Sequence, residues 1–236
     1  MNIAMNIPKN RWSAFAVHFG FSLLIFIALL GIILLFWYPG ALFATAGGWQ
    51  GIQIVVGVDL VLGPLLTLIV YNLDKPRRLL YRDLAIIGAI QLSCLSAGVY
   101  IVYTERPVAV IFSIDKFYAL KKSEFIANGK DPKTLHLGWL SPTFFQVNLQ
   151  ASSREEAKLI EQLNALAGKS ALFRTDLYGP LPRSVTEAKT TLAFSSQPQA
   201  SRCPEQCLTA ELVTAYAQGS VCFDPAKQCL EKFVAK

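Results

Sequence analysis

The chain has 236 residues, of which 53% are hydrophobic, and its formal net charge at pH 7 is +6. The positive excess is small and scattered. Because nucleic-acid binding requires a basic patch or stripe, the charge pattern excludes a nucleic-acid-binding protein. Apolar residues dominate residues 1–103, whereas residues 104–236 have the mixed composition of an ordinary polar domain. The sequence therefore predicts two domains with different surroundings.

Three long apolar runs occupy the first domain, at residues 14–38, 51–71 and 84–103. Each run reaches the ~20 residues that an α-helix needs to cross ~30 Å of hydrocarbon at ~1.5 Å per residue. We therefore predict a membrane anchor of three transmembrane α-helices in residues 1–103, embedded in a lipid bilayer. Because the number of spans is odd, the two ends of the chain lie on opposite sides of the bilayer.

Basic residues indicate which side each end occupies. The link between the first two runs, residues 39–50, contains no lysine or arginine. The segments at the other ends of the runs contain all six basic residues of the anchor, namely Lys9, Arg11, Lys75, Arg77, Arg78 and Arg82. Since positively charged loops stay in the cytoplasm, we predict a cytoplasmic N-terminus and an extracytoplasmic domain in residues 104–236.

Asp59 is an acidic residue inside the second apolar run. A carboxyl group at such a depth costs ~2.5–3.5 kcal/mol on insertion scales, so it is a candidate functional group. Counting ~1.5 Å per residue places Asp59 and Ser96 each ~18 Å from the cytoplasmic end of its span, with Ser93 at ~13 Å. We expect Asp59 to meet this serine face. The contact has two readings, a structural hydrogen bond between helices and a functional site.

Two further features of these spans suggest a surface for a partner helix. Pro64 has no backbone N–H to donate within the helix and is expected to kink the second span. The kink either shapes a small polar notch around Asp59 or simply curves the helix for packing. Small residues recur every four positions in the third span, where another helix can approach closely. That helix is either the second span or a partner. The candidate contacts are Asp59, Pro64, Ala85, Ala89, Ser93, Ser96 and Ala97.

The second domain has the pattern of a small α+β fold with one core. Branched and aromatic residues predict strands at residues 108–114 and 144–149, and a further strand is expected at 190–194. A helix is predicted at residues 153–166, because Ser153 and Glu156 form a capping box and Gly168 follows the end. Its apolar positions, Ala157, Leu159, Ile160, Leu163 and Leu166, are expected to form one face. Residues 208–216 are predicted to be helical.

Four cysteines occupy the last 34 residues, at Cys203, Cys207, Cys222 and Cys229. In an extracytoplasmic domain such a cluster predicts a C-terminal region with two disulfides, and three pairings remain open. A structural zinc site is the alternative, although the spacing lacks the paired C-x2-C form. His136 is the single histidine of this domain and has no evident catalytic partner. We predict no catalytic, cofactor or metal site, and therefore a protein that is not an enzyme.

Four segments of the chain also carry a family resemblance. They are RWSAFAVHFGFSLLIF (residues 11–26), FWYPGALF (36–43), GVDLVLGPLLTLIVYN (57–72) and ERPVAVIF (105–112). They resemble the type IV pilin accessory proteins of the TfpX/TfpZ family, over roughly residues 11–117.

The resemblance implies a non-enzymatic protein of the bacterial inner membrane that modulates assembly or surface display of a type IV pilin. We expect the pilin helix to lie against the second and third spans at the candidate contacts. The periplasmic domain would touch the pilin head, and other pilus assembly proteins are further expected partners. Two alternatives stay open: a membrane-bound thiol–disulfide enzyme, and a sensor or scaffold that binds a ligand in the periplasm.

Overall fold

The computed structural model describes residues 10–135, 137–149, 151, 153–168, 170–191 and 207–236. The chain forms two compact units. The membrane unit comprises the described residues up to Ile32 together with Gln50–Tyr103. The sheet unit comprises Ile33–Trp49 and Thr104–Lys236. The link between the first two long helices is thus part of the sheet unit.

The helices of the described residues are α1 (Arg11–Ile32), α2 (Leu42–Thr45), α3 (Gly48–Val55), α4 (Gly63–Val70), α5 (Arg77–Glu105), α6 (Lys122–Ala127), α7 (Arg154–Leu166) and α8 (Val185–Thr191). Short 3-10 turns occur at Pro132–Leu135, Ala171–Phe173 and Thr175–Leu177. Two π-helical segments, Ile33–Trp37 and Val56–Leu62, extend α1 and join α3 to α4.

Among the described residues, three continuous helical stretches are long and apolar enough to cross a membrane: Arg11–Trp37, Gly48–Val70 and Arg77–Glu105. We call them the first, second and third spans. They confirm the prediction of three long apolar helices. The distortion expected at Pro64 takes the form of the π-helical segment that precedes it. Proline offers no amide hydrogen, and its ring crowds the preceding turn. The turn before Pro64 is accordingly widened, since Gly63 N–H donates to Val58 O, five residues back.

The sheet unit contains one seven-stranded sheet in the order β4-β3-β1-β2-β5-β6-β7. The strands are β1 (Pro107–Ser113), β2 (Lys116–Lys121), β3 (Thr143–Val147), β4 (Tyr178–Pro180), β5 (Leu208–Val213), β6 (Gln218–Asp224) and β7 (Cys229–Ala235). The sheet is mixed, because β1–β3 and β2–β5 are parallel pairs and the other neighbours are antiparallel. This confirms the predicted α+β class and the strands near residues 108–114 and 144–149.

The core lies around β1, whose seven residues are all buried. A strand covered on both faces reads as a continuous apolar run, as Val108–Phe112 does. Buried Ile111 and Phe125 pack with Phe145 and Tyr178 in one cluster. Phe112 and Phe223 each contact Phe117, with ring centroids 5.0 Å apart in both pairs. The aromatic residues therefore tie the middle of the sheet to its C-terminal strands.

Two predictions at the C-terminal end are wrong. Residues 208–213 form strand β5, with burial alternating between neighbouring residues, and not a helix. The segment LTAELV has helix-forming residues, but its pairing with β6 along six positions overrides that local preference. Residues 190 and 191 end helix α8, so the strand expected at 190–194 does not begin there, and its remaining residues lie outside the described chain.

Helix α7 begins and ends as predicted, but its apolar face is not buried. Ser153 Oγ accepts a hydrogen bond from Glu156 N–H at 3.1 Å, and Gly168 has a φ of +68° just beyond the end. Leu159, Leu163 and Leu166 are exposed. The helix is held instead through a polar residue, Glu161, which accepts hydrogen bonds from Ser170 and Ala171.

The link between the first and second spans packs against the last strands of the sheet unit. Ala41 N–H donates to Leu230 O at 2.7 Å, and Thr214 Oγ donates to Thr45 O. Gly40 has a φ of +61°, and a Cβ atom there would lie 2.2 Å from Leu230 O. The link is consequently packed into the sheet unit.

We predict that Gly40→Ala lowers the free energy of unfolding more than Gly129→Ala does. Both glycines have positive φ, which costs an alanine about 1–2 kcal/mol, but no atom lies within 4 Å of a Cβ atom built at Gly129. The measurement is denaturant unfolding of the full-length protein in detergent micelles, followed by near-ultraviolet circular dichroism. Equal losses for the two variants would contradict the described docking of the link.

Candidate functional site

One face of the second span is buried along its whole length. It contains a residue at every fourth position: Gly51, Val55, Asp59, Gly63 and Thr67, all buried. In an α-helix of 3.6 residues per turn, positions four apart drift by about 40° per step. The π-helical segment has wider turns and offsets part of this drift. The five positions therefore form one continuous face.

Part of this face contacts the third span in antiparallel fashion, while the first span packs along α4 and the π-helical segment of the second span. A Cβ atom built at Gly51 would lie 2.5 Å from Val102 Cγ2, and one at Gly63 would lie 1.8 Å from Gln91 Nε2. Between these levels, Val55 lies beside Gly98. Glycines thus allow the two helices to approach closely. The sequence analysis did not predict this contact. The signal was present, because Gly51 and Gly63 are twelve residues apart, a multiple of the four-residue spacing that defines this face.

Asp59 lies inside the bundle and not against the serines of the third span. Asp59 is 5% exposed, and its Oδ2 atom has no hydrogen-bond partner among the described residues. Ser93 and Ser96 are exposed, and Ser93 Oγ donates to Ala89 O at 2.8 Å. The expected contact between Asp59 and the serine face is therefore wrong. The rotation of the third span buries Ile87 and Gly98 and turns the serines outward.

A polar contact joins the spans closer to their basic ends. His18 Nδ1 and Thr67 Oγ1 are 2.5 Å apart, which links the first span to the second. Gln91 of the third span is a further polar neighbour of His18 and packs on Gly63. Hydrogen bonds between transmembrane helices contribute ~0.6 kcal/mol on average. This cluster therefore helps to fix the register of all three spans.

The predicted contact residues fall into two separate groups. Asp59 and Pro64 are buried within the membrane unit. All the others are exposed on the third span: Ala85, Ala89, Ser93, Ser96 and Ala97. We call Ala85, Ala89, Ser93 and Ala97 the small-residue stripe. No other part of the described chain covers the stripe, so the reading in which it packs against the second span does not hold.

The described C-terminal cysteines do not form the two disulfides that the sequence predicts. Cys207 and Cys229 are free thiols, and no disulfide joins two described residues. Cys222 is disulfide-bonded, with a partner outside the described residues, and Cys203 also lies outside them. No group of three or more potential metal ligands occurs among the described residues.

Sheet topology explains why Cys207 and Cys229 do not pair. Cys229 lies opposite Asp224 of β6, while the strand that follows Cys207 pairs with the other edge of β6. Neighbouring strands lie ~4.8 Å apart, so two spacings exceed the ~7 Å between Cα atoms that a disulfide tolerates. Burial raises the pKa of both thiols, and the carboxylates of Asp224 and Glu231 raise it further.

Three helices long and apolar enough to cross a membrane, together with a mixed-sheet α+β unit, indicate the class of protein. The chain is 36% identical over 110 residues to three fimbrial assembly proteins of Dichelobacter nodosus, those of serogroup E1, serogroup I, and serogroups C1 and C2. The match covers 47% of this chain and 84% of the serogroup C1 and C2 protein. The chain therefore belongs to the fimbrial assembly protein family.

The chain spans only 43% of the length of the serogroup E1 and serogroup I relatives. No protein-family model and no solved structure matches it.

We predict that Gly63→Ala destabilises the membrane unit, because the added methyl group overlaps Gln91. The overlap is with the flexible end of the Gln91 side chain, which can move aside, so we expect a loss at the low end of the ~1–3 kcal/mol that overpacking costs. Gly57→Ala in the same span is the matched control, since no atom lies within 4 Å of its added Cβ. Thermal unfolding in detergent should show a lower midpoint for Gly63→Ala alone. Adding Gln91→Ala should restore much of the loss, and an unchanged midpoint in Gly63→Ala would contradict the described packing.

We also predict slow alkylation of Cys207 and Cys229 at neutral pH. Because their pKa values are raised above the ordinary 9.0, the reactive thiolate forms only at higher pH. Iodoacetamide labelling of the Cys94→Ala protein, read by mass spectrometry, should accelerate as the pH rises above 9. N-acetylcysteine is the control. Labelling of either cysteine as fast as the control at pH 7 would disprove the prediction.

Proposed function

We propose that this protein is an inner-membrane accessory factor of the TfpX/TfpZ type, which promotes assembly or surface display of a type IV pilin without catalysing a reaction. Membership of the fimbrial assembly protein family supports a role at the pilus. The observation that carries the mechanism is the uncovered small-residue stripe of the third span. Such a stripe lets a second transmembrane helix approach closely, and a pilin supplies one.

The proposed orientation has the N-terminus in the cytoplasm and the sheet unit in the periplasm. All six basic residues of the first 103 residues lie at or before the start of the first span, just before the third span, or within the first six residues of the third span. The link between the first and second spans has no basic residue and belongs to the sheet unit. Positively charged loops stay inside, so the link and the sheet unit both belong outside, where the sheet unit can contact the pilin head.

Within this proposal Asp59 and Pro64 act from inside the bundle. Asp59 Oδ2 has no hydrogen-bond partner among the described residues, and an unsatisfied buried polar atom costs about 1–3 kcal/mol. A polar group brought by the pilin helix would remove that cost. Because Asp59 is buried in the isolated chain, this contact requires a neighbouring span to move away from the second span. Other pilus assembly proteins are further proposed partners.

One observation favours the alternative of a thiol–disulfide enzyme. The free thiols Cys207 and Cys229 flank the strand that carries the disulfide-bonded Cys222. A catalytic cycle would form a mixed disulfide with a client protein, which acid quenching and thiol trapping in cells can detect. The ligand-sensing alternative has no comparable support. A cavity lined by Glu105, Lys121 and Tyr216 has a volume of only about 10 Å³, about enough for one water molecule.

The stripe is tested by Ala89→Leu, with Leu92→Ala as the control on the same exposed helix. A photocrosslinker at position 93 reports contact with the pilin in native membranes, and surface pili are counted in parallel. Ala89→Leu should lower both the crosslinking to the pilin and the number of surface pili by about tenfold, which is the effect of losing ~1.4 kcal/mol of contact free energy. The amount of protein in the membrane should stay constant, because residue 89 faces outward.

Asp59→Asn tests the buried carboxyl in the same assays and should also reduce piliation. Wild-type crosslinking and piliation in both Ala89→Leu and Asp59→Asn would remove the proposed interface. Loss of pili with normal crosslinking to the pilin would place the defect elsewhere and would equally contradict the assignment of the stripe as the pilin contact.

A further inference from the structure

We infer that two loops of the sheet unit, residues 137–141 and 214–217, rest on the lipid headgroup layer through Trp139 and Tyr216. The sheet unit is then attached to the membrane at its surface as well as through the spans. This inference rests on the membrane placement given under the proposed function, and it concerns a lipid surface, not the pilin.

The first loop is fixed next to the end of the third span. Arg106 directly follows that span, is buried, and donates from Nη2 to Trp139 O at 2.8 Å. Gly138 N–H donates to Thr143 Oγ1 at 2.9 Å, and a Cβ atom at Gly138 would lie 2.3 Å from Ser141 O. The loop is therefore a tight turn with fixed ends. At its tip the Trp139 side chain is 77% exposed.

The second loop is fixed next to the start of the second span. Thr214 Oγ donates to Thr45 O, and the Tyr216 ring packs against Gly47, the residue before the second span begins. Tyr216 is 53% exposed, so much of its ring remains uncovered. Trp49, at the beginning of the second span, is half-exposed as well. Two loops that are distant in sequence thus present an aromatic side chain beside the ends of two different spans.

Distances along the chain place the point at which the first loop is fixed, Arg106, at the depth of the headgroups. The third apolar run ends at Tyr103, and Arg106 lies three residues, or ~4.5 Å, beyond it. The polar headgroup layer adds about 5–8 Å on each side of the hydrocarbon. Tryptophan and tyrosine concentrate at this level because one end of each ring system is apolar and the other is polar. A lipid surface therefore fits these two exposed aromatic residues.

The test uses full-length chains with a single tryptophan, reconstituted into phosphatidylcholine–phosphatidylglycerol liposomes that are brominated on the acyl carbons nearest the headgroup. One chain keeps Trp139, and the native tryptophans Trp12, Trp37 and Trp49 are replaced by Phe. A second chain keeps Trp49 as the positive control. In a chain without native tryptophans, Tyr216→Trp probes the second loop. In the same background Leu166→Trp, on the exposed face of α7, is the negative control.

The bromolipid should quench the tryptophan fluorescence at positions 49, 139 and 216, and the loss of fluorescence at 139 and at 216 should be at least half of the loss at 49. Iodide, added on both sides of the membrane, should quench mainly the tryptophan at position 166. Quenching at 49 with residue 139 or 216 accessible only to iodide would overturn the inference. Absence of quenching at 49 would instead reject the membrane placement. Hydroxyl-radical footprinting of the wild-type protein in the same liposomes checks the result without substitutions: rapid oxidation of Trp139 and Tyr216 would overturn it.

Discussion

The packing of the second span against both of its neighbours holds the described membrane unit together. Gly51 and Gly63 let the third span approach closely, because they leave room for Val102 and Gln91. In this arrangement the third span buries Gly98 and turns Ala89 outward. The first span packs along α4 and along the π-helical segment that contains the buried Asp59. These two contacts together decide which polar groups are hidden and which small residues are available to a partner.

Proline chemistry and glycine packing cooperate within the second span. In lipid, backbone groups have no water to bond, so a helix interrupted by proline must satisfy its freed carbonyl groups internally. The π-helical segment before Pro64 meets this demand through bonds such as Gly63 N–H to Val58 O. Its wider turns also keep residues four apart on one face. Asp59, with its buried carboxyl group, is part of this segment. Helix irregularities of this π-helical kind often occur at functional sites.

The sheet unit combines segments from opposite ends of the chain. The link between the first two spans bonds to β7 through Ala41, and strand β1 begins directly after the third span. Both connections enter the same compact unit. The link and the sheet domain therefore belong to one folded body, as the proposed orientation requires. The distribution of basic residues supports the same orientation on different physical grounds.

Features that depend on local pattern could be predicted from the sequence. Apolar length predicted the three long helices, the pair Ser153 and Glu156 predicted the start of α7, and branched residues predicted β1. The folded chain was needed to establish the face on which Asp59 lies, the strand at residues 208–213, the exposure of Leu163 and the separation of Cys207 from Cys229. These outcomes are set by helix rotation and strand pairing between residues far apart in the chain. Local composition and periodicity do not specify which distant residues meet.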